Sequence, residues 1–121
     1  MSYIISNNLY ENSITMSYYA MYNSLTALLF KTGIKCKNHS ASILLLKKLF
    51  QNNELFKIIS ISKEERIDKQ YYVSSKDKPL TKDSAEDMIK KAEKFFVNIR
   101  LFMDSLNQDK INKIRNRFRL I

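Results

Sequence analysis

The sequence has almost none of the residues that interrupt a helix. Glycine and proline each occur once, as Gly33 and Pro79. An all-β domain turns tightly and often, and draws on both. Strands are therefore not expected, and the long unbroken segments read as helices. Cysteine also occurs once, as Cys36. That excludes an intramolecular disulfide and a zinc site built on clustered cysteines. Lys35 and Lys37 flank Cys36, but no general base is defined for it. No apolar run reaches the roughly 18 residues that span a membrane. The start, Met1-Ser2-Tyr3-Ile4-Ile5-Ser6-Asn7, lacks the basic and then apolar character of a signal peptide. The expectation is a cytoplasmic protein with no membrane partner. No Walker loop, dinucleotide loop or metal-ligand spacing is present, so no cofactor and no metal are expected. Histidine, too, occurs once, and any imidazole chemistry must use His39.

What remains is helical pattern and positive charge. A chain of 121 residues is one ordinary domain, long enough to bury its own core. We take 1–121 as that single domain. Its net charge is +9, from 21 Lys and Arg against 12 Asp and Glu. This balance favours an anionic partner such as RNA, a nucleotide or an acidic protein; the plain alternative is a solvated basic surface. Ile14, Tyr18, Met21, Tyr22, Leu25, Leu28 and Leu29 recur at spacings of three and four, which predicts a helix over about 12–32. Gly33 is placed to cap it. Residues 40–50 predict a second helix, apolar on more than one face and hence central. Ser62-Lys63-Glu64-Glu65 fits a capping box opening a third helix after a short turn over 54–59. That helix runs to about 73, and a loop at 76–79 follows. Thr81 is the N-cap of a fourth, whose stripe includes Ala85, Met88, Ile89, Phe95, Phe96 and Ile99. Residues 109–120 predict a last short helix, with Ile111, Ile114 and Phe118 on one face and basic residues on another. Short connections between antiparallel helices give an all-α, up-and-down bundle.

Four pieces, in order, resemble one family. Ser17-Tyr18-Tyr19-Ala20-Met21-Tyr22 is similar to the Tyr-Tyr-Ala-Met-Phe core of a HEPN subgroup. Gly33-Ile34-Lys35-Cys36-Lys37-Asn38-His39-Ser40 resembles its loop of glycine, basic residue and His-Ser step. Arg66-Ile67-Asp68-Lys69-Gln70-Tyr71-Tyr72 resembles its Arg-to-Tyr segment. Ser84-Ala85 with Lys91-Ala92-Glu93-Lys94-Phe95 looks like its final helix. The resemblance covers about 10–106 and leaves 109–120 as an additional basic helix. It implies a HEPN-type bundle, often a homodimer. It also implies a nucleotidyltransferase partner, as in toxin–antitoxin pairs, or metal-independent RNA cleavage. Two departures stand out. Only nine residues precede Tyr10, where family members usually carry a full helix, so the first helix is expected to be truncated. Ribonuclease members place an arginine, four to six residues, then a histidine. The histidine matches His39, but the arginine window holds Thr32, Gly33 and Ile34, flanked by Lys31 and Lys35.

The candidate catalytic set is accordingly His39, Arg66 and Lys35. Near neutral pH an imidazole can take a proton from a ribose 2′-hydroxyl or give one to a leaving oxygen. A cation beside it stabilises charge on the phosphate, though lysine lacks the planar fork of arginine. Arg66 offers a guanidinium in space rather than in sequence; the plain alternative is a surface arginine paired with Glu64 or Asp68. Lys37, Tyr71, Lys113, Arg115, Arg117 and Arg119 are candidates for contacting a nucleic acid or nucleotide. Tyr18, Tyr19 and Tyr22 read as core or dimer interface before they read as base-stacking platforms. The leading expectation is a module that binds a nucleotidyltransferase partner, a nucleotide or RNA, with weak or no catalysis. The alternatives are a metal-independent endoribonuclease toxin using His39 and a purely structural oligomerisation module.

Overall fold

In a computed structural model, the backbone is described over residues 3–71 and 81–121, and side chains over residues 9–66 and 81–121. Five helices are described: α1 (Tyr3–Thr32), α2 (His39–Lys48), α3 (Asn53–Tyr71), α4 (Lys82–Asp104) and α5 (Gln108–Arg119). The chain is an all-α bundle, as the pattern predicts. α1 begins well before residue 12. Residues 3–9 belong to α1, and among the described residues no separate helix comes before it.

α1 is the central element: it packs against each of the other four helices. Ile14, Tyr18, Met21, Leu25 and Leu28 face inward at intervals of three and four, and all are fully buried. α4 is its main partner, through Ala85, Met88, Phe95 and Ile99. The central role predicted for α2 is not found. α2 is only ten residues long and lies along the outside, with Leu44 exposed. Ile89 and Phe96, expected in the α4 core stripe, are 40% and 53% exposed. They line two adjoining hollows of about 350 and 560 Å³ between α1 and α4, which share Ala20 and Phe96.

The local caps explain most of the boundaries. Gly33 has φ +72°, the left-handed region that glycine enters without a Cβ penalty. Ile34 N–H donates to Leu29 O at 2.9 Å and Gly33 N–H to Phe30 O at 3.1 Å, the paired bonds of a Schellman end. The Asn38, Thr81 and Asn107 side chains accept from the backbone N–H of Ala41, Ser84 and Lys110, and so start α2, α4 and α5. The capping box at Ser62 does not form. α3 starts nine residues earlier, where the Asn52 side chain accepts from Leu55 N–H at 3.1 Å. Ser62 is fully buried inside that helix, and its hydroxyl donates back to Ile58 O at 2.7 Å. The loop expected at 76–79 lies outside the described residues.

α5 closes the end of the bundle where α1 finishes. Ile114 enters the core, and Phe118 packs beside it. The Arg117 guanidinium donates to Leu49 O at the end of α2.

Candidate functional site

Three helices bring the only imidazole, two cations and three tyrosines together. Tyr18, Tyr19 and Tyr22 sit within little more than one turn of α1, so they share one side of the helix. His39 is the first residue of α2, and the Asn38 cap fixes its entry. The His39 ring stacks on Tyr22, with centroids 3.7 Å apart and planes 13° apart. Tyr19 meets it edge-on at 6.3 Å, and Tyr18 lies at 6.5 Å. The Tyr22 hydroxyl donates to Ser42 Oγ at 3.4 Å, and that hydroxyl donates to Cys36 O at 3.3 Å. The stack is thereby tied to both the loop and α2.

α3 supplies the cations. The Arg66 guanidinium carbon lies 4.9 Å from the Tyr18 ring centre and 5.4 Å from that of Tyr19. Its Nη1 donates to the Tyr19 hydroxyl at 3.2 Å. One turn earlier, Lys63 Nζ donates to Ser40 Oγ at 2.5 Å, beside His39. Among the described residues no carboxylate pairs with Arg66. Glu64 does not, Glu65 is held by Lys91 of α4, and the Asp68 side chain lies outside the described residues.

The electrostatics follow from this packing. The pKa of His39 is lowered, first by burial and then by the charges of Lys63 and Arg66. Its imidazole is therefore neutral at neutral pH, with one nitrogen free to accept a proton. Among the described residues, neither imidazole nitrogen has a hydrogen-bond partner. Burial raises the pKa of Tyr18, against the opposing pull of Arg66. The Tyr18 hydroxyl and Arg66 Nε are buried and have no hydrogen-bond partner among the described residues. Such groups cost free energy when left alone. Tyr19, by contrast, is 41% exposed.

A family model of the HEPN domain matches residues 1–100, most of the chain. The chain belongs to the HEPN family. Neither the curated proteins nor the solved structures compared with it give a match. HEPN domains are associated with RNA binding or nuclease activity, and the cluster on α1–α3 lies inside the matched segment, whereas α5 lies outside it.

The structure sorts the residues proposed from sequence. His39 and Arg66 come together. Lys35 and Lys37 are exposed on the segment leading to His39, but the charges acting on the imidazole are those of Lys63 and Arg66. Lys63 was missed, although its position three residues before Arg66 on one helix was a usable signal. Of the three tyrosines, Tyr18 is core as expected, while Tyr19 and Tyr22 belong to the cluster. The Tyr71 side chain lies outside the described residues. Lys113, Arg115, Arg117 and Arg119 sit on α5, at the other end of the α1–α2 segment. Among the described helices none is long and apolar enough to cross a membrane.

Proposed function

We propose that this HEPN domain binds RNA at the surface made by His39, Lys63, Arg66 and Tyr19, with weak or no cleavage. The observation that carries the reading is the convergence of an imidazole and two cations around an exposed tyrosine. Lys63 and Arg66 attract the phosphate, and Tyr19 offers a partly exposed ring to a base or ribose. Two features favour binding over cutting. General acid–base cleavage needs one group to take a proton and another to give one, and each chain has a single imidazole. Arg66 is also already engaged with both tyrosine rings and the Tyr19 hydroxyl.

A second reading, a metal-independent endoribonuclease toxin, is favoured by one specific feature: His39 is held neutral beside two cations, the state a general base requires. His39 would then take the 2′-hydroxyl proton as the 2′-oxygen attacks phosphorus, Arg66 and Lys63 would stabilise the phosphorane, and the P–O5′ bond would break with the 5′-oxygen protonated by solvent. The homodimer, the nucleotidyltransferase partner and the toxin–antitoxin setting implied by the family resemblance belong to the same proposal. The hollows flanked by Ile89 and Phe96 are the apolar surface a protein partner would cover.

The test measures anisotropy of a labelled single-stranded RNA with wild type, His39→Ala and Arg66→Met, and follows cleavage of the same RNA in EDTA. The expected result is wild-type binding weakened about tenfold in Arg66→Met, as for loss of one charge-assisted hydrogen bond. Unchanged affinity in both variants overturns the proposed surface. Cleavage by wild type that is absent in His39→Ala selects the second reading.

A further inference from the structure

We infer that α5 and the segment joining α1 to α2 extend the RNA surface into a track, so that the domain holds a single strand of several nucleotides. The inference rests on the RNA reading of the His39 cluster and adds a second anchor outside the part of the chain that matches the HEPN family.

Arg115 lies directly over Gly33. Its guanidinium carbon and Nε are 3.6 Å from the position a Cβ would take there. Arg115 and Arg119 line a hollow of about 330 Å³ whose other lining residues are Asn112 and Asn116. All four lie on α5 at intervals of three and four, Arg119 Nη1 donates to Asn116 Oδ1 at 3.5 Å, and among the described residues no carboxylate pairs with either arginine. The hollow thus offers donors in excess and no competing anion, which suits a phosphate or a ribose hydroxyl.

The segment that starts at Gly33 ends at His39. Along it Ile34 is buried, Lys35 exposed, Cys36 half-buried and Lys37 exposed. This alternation is that of an extended chain with one side inward, so both lysines project from the same edge. Tyr22, beneath His39, lies eleven residues before Gly33, or about 16 Å along α1 at 1.5 Å per residue. A stacked strand rises ~3.4 Å per nucleotide. About five nucleotides therefore separate the His39 cluster from Arg115, with Lys35 and Lys37 between them. Arg117 is not part of the track, because its guanidinium is bound to Leu49 O.

The test compares fluorescein-labelled oligouridylates of four and twelve nucleotides by anisotropy over a range of salt. The shorter reaches one anchor, and the longer reaches both. Wild type is expected to bind the twelve-mer about tenfold more tightly. Arg115→Ala/Arg119→Ala should keep wild-type affinity for the four-mer and lose that advantage. Its salt slope for the twelve-mer should fall by about 1.4, or ~0.7 for each phosphate no longer neutralised on a single strand. Lys35→Glu/Lys37→Glu, two exposed positions, should weaken the twelve-mer without unfolding the domain, and gives the answer if the arginine pair perturbs the fold. Equal affinity of wild type for both lengths overturns the track, as does a twelve-mer affinity unchanged in both variants. So does an equal loss for both lengths in the arginine pair when circular dichroism shows that it is folded. If Arg66→Met weakens the four-mer while α5 variants leave the twelve-mer alone, the RNA site stands and the track falls. If wild type binds neither oligonucleotide, both fall.

Discussion

Replacing Arg66 with methionine separates a residue kept for packing from one kept for a ligand. Methionine retains the length and apolar body of the stem and removes the charged head. On the favourable side, Arg66 lies over two rings at 4.9 and 5.4 Å and makes one hydrogen bond of 3.2 Å. Cation–π contacts at partly exposed sites are worth about 0.5–1 kcal/mol each, and the hydrogen bond adds ~1 kcal/mol. On the other side, Nε is buried without a partner, at a cost of about 1–3 kcal/mol. The two sides nearly cancel, so Arg66→Met should change stability by no more than ~1 kcal/mol. Urea unfolding followed by circular dichroism measures this. The same substitution should weaken RNA binding about tenfold, since it removes a charge-assisted hydrogen bond to phosphate. It should also raise the His39 pKa, because one of the two cations opposing the imidazolium is gone. That shift is readable in an NMR titration, and the only histidine gives an unambiguous signal. A loss of about 2 kcal/mol or more with RNA affinity unchanged would refute the reasoning and make Arg66 a structural lid on Tyr18.

Three further outcomes follow from the same geometry. His39 titrates below its ordinary value when folded, so the unfolded chain holds more protons between that value and about 6.5. The stability contributed by the neutral imidazole is present above about pH 6.5 and is lost as pH falls through the folded pKa; urea midpoints in His39→Gln should be flatter across that window than in wild type. Asn38→Ala removes the acceptor that starts α2, and should cost about 1 kcal/mol while loosening the His39–Tyr22 stack, seen as a His39 pKa moving back towards the ordinary value. Gly33→Ala meets only ordinary contact distances at Arg115, so its cost comes from the positive φ, about 1 kcal/mol, measurable as a lower thermal midpoint.

The features legible in the sequence are those decided within a few residues. Gly33 ends α1 because a left-handed residue there lets two backbone amides return to α1, and Thr81 starts α4 because its hydroxyl reaches Ser84 N–H. Ser62 shows the limit of that reasoning. Its neighbours supply every element of a capping box, yet Leu55, Ile59 and Ser62 fall at i, i+4 and i+7 on one buried face, and burying that face keeps the helix running through the box. Asn52 had already provided the start. α2 misleads for a related reason: a short helix rich in leucine looks central, but which of its leucines is covered depends on where the longer helices pass. In the candidate site, His39 was legible as the only histidine. The Arg66–Tyr19 contact joins residues 47 apart in sequence and is fixed by the pairing of α1 with α3, which no local pattern encodes.

That contact also bears on the arginine absent from the window before His39. Two of the three positions in that window are committed to packing: Thr32 is buried, with its hydroxyl donating to Leu28 and Leu29 carbonyls, and Ile34 is core. Neither Thr32 nor Ile34 could be exchanged for a free guanidinium without opening the end of α1. Arg66 restores a guanidinium near the imidazole from another helix, though under different constraints. An arginine on the loop before the histidine moves with that loop, whereas the Arg66 guanidinium carbon sits 4.9 and 5.4 Å from two ring centres, one of them in the core. Its charge is therefore preorganised for an anion that comes to it. Reaching out to follow a phosphate through a transition state would first require breaking the Tyr19 bond and both ring contacts. Preorganisation of this kind favours holding a strand, and Arg66→Lys decides the matter. A mobile ammonium keeps the charge and frees the tyrosines. If cleavage rises in that variant while binding weakens, the fixed guanidinium is what keeps the wild-type site a binding site.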